Sequence, residues 1–141
     1  MIRGIRPGLI GLALFLAAAP LWAHHGTSIT YQVDKSLTMD GVVTEFVYGY
    51  PHPQIYFDVT DAQGKVQHWG AEFAPTPLMM KNAGFKKDMI KAGDKVTITC
   101  SPHKTPGATA CLLRQISING KPVNIGGVGA PPPGENRESR N

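Results

Sequence analysis

The sequence has few cysteines, few aromatic residues and little net charge. Among its 141 residues, two are cysteine, 8% are aromatic and 17% are charged. It has no glycine-rich phosphate loop, no nucleophile elbow and no paired-cysteine zinc motif. Its acidic residues are scattered, so no carboxylate pair suggests hydrolysis. These absences leave the common nucleotide-binding enzymes, hydrolases and cysteine-based zinc proteins without support.

Long hydrophobic runs are also missing, except for one near the start. Arg3 and Arg6 precede an uninterrupted apolar run over residues 9–19, and the small residue Ala23 follows shortly after it. The run is shorter than the roughly 20 residues that a membrane-spanning helix needs. This pattern is typical of a signal peptide. We expect residues 1–23 to be a cleaved signal peptide, and the rest to be a periplasmic or secreted protein without a transmembrane segment.

The remaining charge does not favour a nucleic-acid partner. Removal of the signal peptide leaves 12 of the 14 basic residues against 10 acidic ones. The longest basic block is Lys86-Lys87, and the aromatic residues are too dispersed to form a stacking platform for single strands. We therefore expect the partner to be a metal ion or another protein, and no nucleic acid.

Cleavage after Ala23 makes His24 the first residue of the mature protein. Its α-amine, its imidazole and the imidazole of His25 form a compact set of nitrogen ligands, which copper(II) favours. The third ligand that we prefer is His52, because prolines on both sides restrict its backbone. We predict a copper site formed by His24, His25 and His52, in the arrangement called a histidine brace. Alternatively, the first two histidines only aid signal cleavage, and His52 faces solvent in a rigid turn.

The two cysteines, Cys100 and Cys111, both lie in the part expected to be exported. An oxidising compartment favours a disulfide between them. Two β-rich runs flank a turn at residues 105–107, and a symmetric hairpin around that turn places Cys100 opposite Cys111. We predict a disulfide, and the alternative is a thiolate copper site assisted by His103.

Five β-rich runs and one short helix follow one another along the chain. Thr76 can cap a helix that starts at Pro77 and ends before Gly84, and Leu78 with Met79 or Met80 should plug the bottom of the sheet. Three runs, a helix and two more runs match the oligonucleotide/oligosaccharide-binding (OB) barrel, a five-stranded Greek-key barrel. We predict this all-β fold over a β-sandwich, which needs about seven strands. The runs cover residues 37–48, 55–59, 66–74, 96–101 and 110–118.

The domain organisation follows from these runs. We expect an N-terminal arm at residues 24–36, the barrel at residues 37–125 and a disordered tail, rich in glycine and proline, at residues 126–141. A β-bulge is expected at Gly41, and a last short run at residues 123–125 follows the Asn119-Gly120 turn. The predicted core consists of Phe46, Ile55, Phe57, Val59, Trp69, Phe73, Val96, Ile98 and Ile116.

Two further groups of residues allow a chemical interpretation. His68 and Glu72 share a strand face and can form a carboxylate–histidine pair, although a solvated strand face explains them as well. Met79 and Met80 can bind copper(I), but packing in a barrel is the better explanation for them.

Several spaced motifs between His24 and Gly120 resemble a known family. They resemble the small exported Gram-negative proteins grouped as domain of unknown function 6152. The resemblance implies an exported, single-domain β-barrel protein and no established activity. Tyr50 stands where the relatives tend to have asparagine before Pro-His. The motifs are Ala23-His24-His25, Gly41-Val42-Val43-Thr44-Glu45-Phe46, Pro51-His52, Trp69-Gly70-Ala71-Glu72, Pro77-Leu78 with Gly84-Phe85, and Gly93-Asp94-Lys95-Val96.

We expect an exported, non-catalytic OB-like protein that binds or handles copper through His24 and His25. The first alternative is an interaction module that binds a partner protein or small ligand on the open barrel face around Tyr48, Tyr50 and Tyr56. The second alternative is a copper-dependent oxidase of the histidine-brace type.

Overall fold

The structure is a computed structural model that describes residues 27–126. The predicted signal peptide, His24, His25 and all but the first residue of the predicted tail lie outside the described residues. No helix between residues 27 and 126 is long and apolar enough to cross a membrane.

The described chain contains two short α-helices, one 3-10 helix and six strands. The first five strands and the second helix have the order that the sequence predicts. The last strand is an exception, because it lies at Lys121–Pro122 and not at residues 123–125. The elements are α1 (Thr27–Thr30), β1 (Leu37–Val47), β2 (Gln54–Thr60), β3 (Val66–Phe73), α2 (Pro77–Asn82), the 3-10 helix (Lys87–Met89), β4 (Lys95–Pro102), β5 (Ala110–Ile118) and β6 (Lys121–Pro122).

The first five strands close into a barrel. The neighbouring strands run in the order β3-β2-β1-β4-β5, and β3 also pairs with β5. This closing pair is parallel and aligns residues 70–73 with residues 110–113. A closed five-stranded barrel with this order and a short helix between β3 and β4 is an OB-like fold. The predicted fold class is confirmed.

The barrel interior is filled by the side chains that alternate toward it along each strand. On β2, for example, Ile55 and Phe57 are fully buried while Tyr56 between them is exposed. Three residues of the predicted core, Phe46, Val59 and Trp69, are only partly buried and pack against the core edge. Trp69 lies just before the β3–β5 pairing begins, so the barrel does not enclose its indole. The predicted core residues that are buried are Ile55, Phe57, Phe73, Val96, Ile98 and Ile116.

Helix α2 closes one end of the barrel, as predicted. The Thr76 hydroxyl accepts a hydrogen bond from the Met79 backbone nitrogen, so it caps the first turn. Met80 is fully buried and acts as the plug, whereas Leu78 and Met79 are 57% and 47% exposed. The prediction that Leu78 also plugs the sheet is wrong, because one face of so short a helix meets the barrel.

The predicted bulge in β1 lies at a different residue. The β1–β2 register shifts between Val43 and Glu45, which places the bulge at Thr44 and not at Gly41. Gly41 has another role, since a Cβ atom there would lie 2.7 Å from the backbone oxygen of Asp58. Gly41 therefore permits a close approach of β1 and β2.

A disulfide joins Cys100 and Cys111, as predicted, although the predicted hairpin register is wrong. Cys100 pairs with Leu113, and Pro102 pairs with Cys111, so the two cysteines are diagonal neighbours with Cα atoms 5.7 Å apart. The hairpin loop is centred one residue later than the sequence suggested, which moves the partner of Cys100 by two residues. A further register shift between Thr99 and Cys100 moves the partners of residues 96–99 by three. Both cysteines are fully buried, so the disulfide lies in the barrel core.

Candidate functional site

The described part of the N-terminal arm packs on the β4–β5 hairpin. The Gln32 nitrogen donates to the Pro102 oxygen at 2.9 Å, and the Lys104 nitrogen donates to the Thr30 oxygen at 2.9 Å. The Lys104 ammonium group also donates to the Ser28 oxygen at 2.6 Å. The arm is therefore attached to the barrel from Ser28 onward, and the chain enters beside the hairpin loop.

A polar cluster around the buried Ser101 side chain supports the following part of the arm. The Arg114 guanidinium donates to the Ser101 hydroxyl at 2.7 Å and to the Val33 oxygen. The Ser101 side chain is fully buried and donates in turn to the Lys35 oxygen at 3.1 Å. These bonds satisfy backbone oxygens of a segment that has little regular structure.

Tyr31 connects the arm to β3. It is buried, and its hydroxyl donates to Glu72 Oε2 at 2.8 Å. Burial, the hydrogen bond and the negative charge of Glu72 raise the pKa of Tyr31 well above its ordinary value. Its ring also packs edge-on against His103, with ring centroids 5.6 Å apart. The sequence contains no signal for this contact, because Tyr31 and Glu72 are 41 positions apart.

The pair predicted between His68 and Glu72 does not form. His68 Nδ1 lies 2.6 Å from Asp58 Oδ1 on β2, while Glu72 bonds Tyr31. Residues four apart on a strand are separated by about 13 Å, whereas Asp58 and His68 are direct cross-strand partners. The strand pairing therefore places Asp58, and not Glu72, beside His68.

A groove lies on the outer surface between the arm, β2 and β3. Its volume is about 340 Å³, and we call it the outer groove. Tyr56 and Gly70 are cross-strand partners, and a Cβ atom on Gly70 would lie 3.3 Å from the Tyr56 ring. Beside them, the Tyr56 hydroxyl donates to Gln54 Oε1 at 2.6 Å. The lining residues with polar side chains are Tyr31, Thr44, Gln54, Tyr56, His68, Trp69, Glu72 and Thr109.

His52 lies in the loop between β1 and β2, as predicted. Its side chain is partly buried, and its Nδ1 atom is buried without a hydrogen-bond partner among the described residues. The loop is held on both sides, because the Pro53 oxygen accepts from the Phe73 nitrogen at 2.9 Å and the Tyr48 hydroxyl donates to the Pro77 oxygen at 2.7 Å. Buried polar atoms usually have a partner, so the Nδ1 atom of His52 is unusual.

A complete metal site is not formed within residues 27–126, where no group of three His, Cys, Asp or Glu side chains is placed to hold a metal ion. The disulfide removes the alternative thiolate site. His103 Nδ1 accepts from the Thr105 nitrogen at 3.0 Å, so it is used within its own loop.

Comparison with known families identifies the chain. A family model described as "Family of unknown function (DUF6152)" matches residues 13–112. The chain belongs to this family. A comparison with curated proteins found no match.

Solved structures that resemble this family member include a mitochondrial single-stranded DNA-binding protein and a domain of a PriB protein. One form of the mitochondrial single-stranded DNA-binding protein Rim1 from S. cerevisiae has a TM-score of 0.46 and 9% identity, covering 60% of this chain and 92% of that one. The N-terminal domain of the PriB protein from Thermoanaerobacter tencongensis has a TM-score of 0.41 and 16% identity, covering 60% of this chain and 96% of that one. At these identities the likeness does not extend to function.

The three tyrosines predicted to form an interaction face have separate environments. Tyr48 is partly buried and stacks on Phe85 with ring centroids 5.9 Å apart. Tyr50 is 75% exposed and Tyr56 is 37% exposed. Of the three, Tyr56 alone lines the outer groove.

Proposed function

We propose that this protein is an exported, non-catalytic copper-binding protein whose ligands are His24, His25 and His52. The observation that carries the proposal is the buried Nδ1 atom of His52, which has no partner among the described residues. Leaving a buried polar group unpaired costs about 1–3 kcal/mol. Coordination of a metal ion by Nδ1 itself would give this atom the partner that the described residues do not supply.

The attachment of the arm supports the participation of His24 and His25. Thr27 follows His24 by three residues, and an extended chain spans at most about 3.6 Å per residue. The mature N-terminus would therefore stay within about 11 Å of the start of α1.

The arm also meets the β-sheet near the loop that carries His52. Glu72, which accepts from Tyr31, is the cross-strand partner of Gln54. Gln54 follows His52 by two residues. The arm and the His52 loop thus contact neighbouring positions of the sheet.

The donor set favours copper(II) over other divalent metals. Amine and imidazole nitrogens suit copper, which binds most tightly in the first-row series. The thiols are joined in a disulfide, and no thiolate competes for the metal. In the described residues we find no arrangement that assigns a catalytic step, so we propose binding or delivery of the ion rather than oxidation.

The decisive experiment compares two forms of the protein by copper(II) titration. One form begins at His24 with a free α-amine, and the other begins at His24 with an acetylated α-amine. The acetylated nitrogen is an amide and the chain then has no terminal amine to act as a ligand, so this form should bind much more weakly. Equal affinity would refute the terminal site.

Two further measurements complete the test. Mass spectrometry of the exported protein should give a mature chain that begins at His24, and a start at Gly26 would remove the proposal. Turnover of peroxide with a reducing substrate should be absent from the copper-loaded protein. Sustained turnover would instead support the oxidase alternative.

A further inference from the structure

We propose, independently of the copper site, that the outer groove binds a neutral oligosaccharide. The groove lies where two small residues on neighbouring strands stand beside a large one. Tyr56 on β2 pairs with Gly70 on β3, and Gly70 pairs with Ala110 on β5. The glycine and the alanine leave a depression of about 340 Å³, and the tyrosine ring forms one wall of it.

The Tyr56 ring provides an apolar surface beside this depression. Tyr56 is 37% exposed. If residue 70 had a Cβ atom, that atom would lie 3.3 Å from the ring. The ring therefore packs beside the bare backbone of β3 and stays partly open to solvent. Aromatic rings with a polar end combine a large apolar surface with a hydrogen-bonding tip, which suits the C–H faces and hydroxyl groups of a sugar ring.

The polar groups around the groove are of the kind that recognise hydroxyl groups. Gln54 accepts from the Tyr56 hydroxyl through Oε1, which leaves its amide N–H donors for a ligand. Glu72 accepts one hydrogen bond from Tyr31, and a carboxylate has capacity for more. Thr44 and Thr109 contribute hydroxyl groups at the groove wall. Donors and acceptors are thus mixed, as a ligand rich in hydroxyl groups requires.

The charge of the groove excludes a polyphosphate ligand. Among the described residues that line it there is no lysine or arginine, and the acidic one is Glu72. Binding of a nucleic-acid backbone depends on neutralising phosphates with Lys and Arg. The strands 2–3 face of OB barrels takes oligonucleotides or oligosaccharides, and the chemistry here selects the second class. A basic peptide is the competing ligand, because Glu72 is negatively charged.

The experiment is an NMR titration of the full chain with defined probes. These are cellohexaose, maltohexaose and chitohexaose as neutral sugars, a 15-nucleotide oligo-dT, and a peptide of six lysines. We expect at least one sugar to shift the amide signals of Gln54, Tyr56, Gly70 and Thr109, while oligo-dT and the peptide leave them unchanged. No shift with any sugar, shifts confined to other regions, or shifts with the peptide or oligo-dT alone would overturn the proposal.

Variants then test the role of the aromatic wall. Tyr56→Ala should bind the sugar about tenfold more weakly, the loss expected for one aromatic contact. Tyr50→Ala is the matched control, because Tyr50 is exposed but does not line the groove, and its affinity should stay unchanged. Equal losses in both variants would refute the assignment. The signal shifts of the unaltered protein decide the question even if Tyr56→Ala does not fold.

Discussion

The Tyr31 hydroxyl donates a 2.8 Å hydrogen bond to Glu72 Oε2, and this bond connects the N-terminal arm to strand β3. Both residues line the outer groove. Tyr31 also belongs to the segment that leads from the proposed copper ligands into the barrel. The contact thus joins the arm to the sheet at the outer groove.

Loss of this bond should destabilise the protein. Tyr31→Phe removes the hydroxyl and leaves Glu72 without its partner, which we expect to cost about 1–2 kcal/mol of unfolding free energy. Tyr56→Phe is the control, since its hydroxyl bonds another exposed side chain and its loss should change stability little. Urea denaturation of both variants measures the difference. Equal stability of Tyr31→Phe and the unaltered protein would contradict the importance of the contact.

The raised pKa of Tyr31 predicts that the stability of the protein depends on pH. Burial and Glu72 raise the pKa of Tyr31 in the folded state, whereas the unfolded residue has a pKa of about 10. Above pH 10 the unfolded state therefore loses its proton first, and stability falls as the pH rises. We expect Tyr31→Phe to show a smaller decrease between pH 9 and pH 11 than the unaltered protein. Identical pH profiles would show that Tyr31 does not contribute.

Replacement of His52 should weaken copper binding if the proposed site closes on the barrel. His52→Ala removes one imidazole ligand, and its effect is measured by copper(II) titration of the protein that begins at His24. His68→Ala is the matched control, because the His68 side chain is 83% exposed and pairs with Asp58. In the unaltered protein, binding should also weaken steeply below about pH 6, because protons compete for the nitrogen ligands. Equal affinities of the two variants would restrict the site to His24 and His25.

Two aromatic residues of the predicted core should differ in their effect on stability. Phe57 is fully buried, so Phe57→Ala should cost about 3–5 kcal/mol. Trp69 is only partly buried at the core edge, and Trp69→Ala should cost less, about 2 kcal/mol. Thermal denaturation compares them directly. A larger loss for Trp69→Ala would mean that its indole is enclosed more tightly than the structure shows.

The close approach of β1 and β2 at Gly41 can be tested with one methyl group. In Gly41→Ala the new Cβ atom would lie 2.7 Å from the Asp58 backbone oxygen, so the strands must separate at a cost of about 1–3 kcal/mol. Gly49→Ala is the control, since its nearest neighbour, a Val47 side-chain atom, would be 3.8 Å away. Comparable stabilities of the two variants would contradict the tight packing.

Local features of the fold were predictable from short stretches of sequence. The cap at Thr76, the proline in the first turn and Gly84 beyond the last turn predict α2 correctly, because each acts on its immediate neighbours. Alternation of Ile55 and Phe57 with polar residues predicts β2 for the same reason. The order of these elements was sufficient to select the OB-like barrel.

The hairpin register and the bulge could not be predicted in the same way. A shift of the loop centre by one residue moves Cys100 from Cys111 to Leu113, and the local sequence does not distinguish the two registers. The bulge at Thr44 likewise depends on how β1 fits between β2 and β4. Both features depend on pairings that form only when the barrel closes.

The same distinction between local sequence and strand pairing applies to the candidate sites. The sequence by itself suggested the nitrogen ligands that we propose for copper, because an expected cleavage site and two adjacent histidines are local patterns. It also placed His52 in the loop between β1 and β2. Only the tertiary structure decided that its Nδ1 atom is buried without a partner among residues 27–126, that Tyr31 bonds Glu72, and that Gly70 opens a groove beside Tyr56. Each of these depends on strands that are distant in sequence, and barrel closure is what brings them into contact.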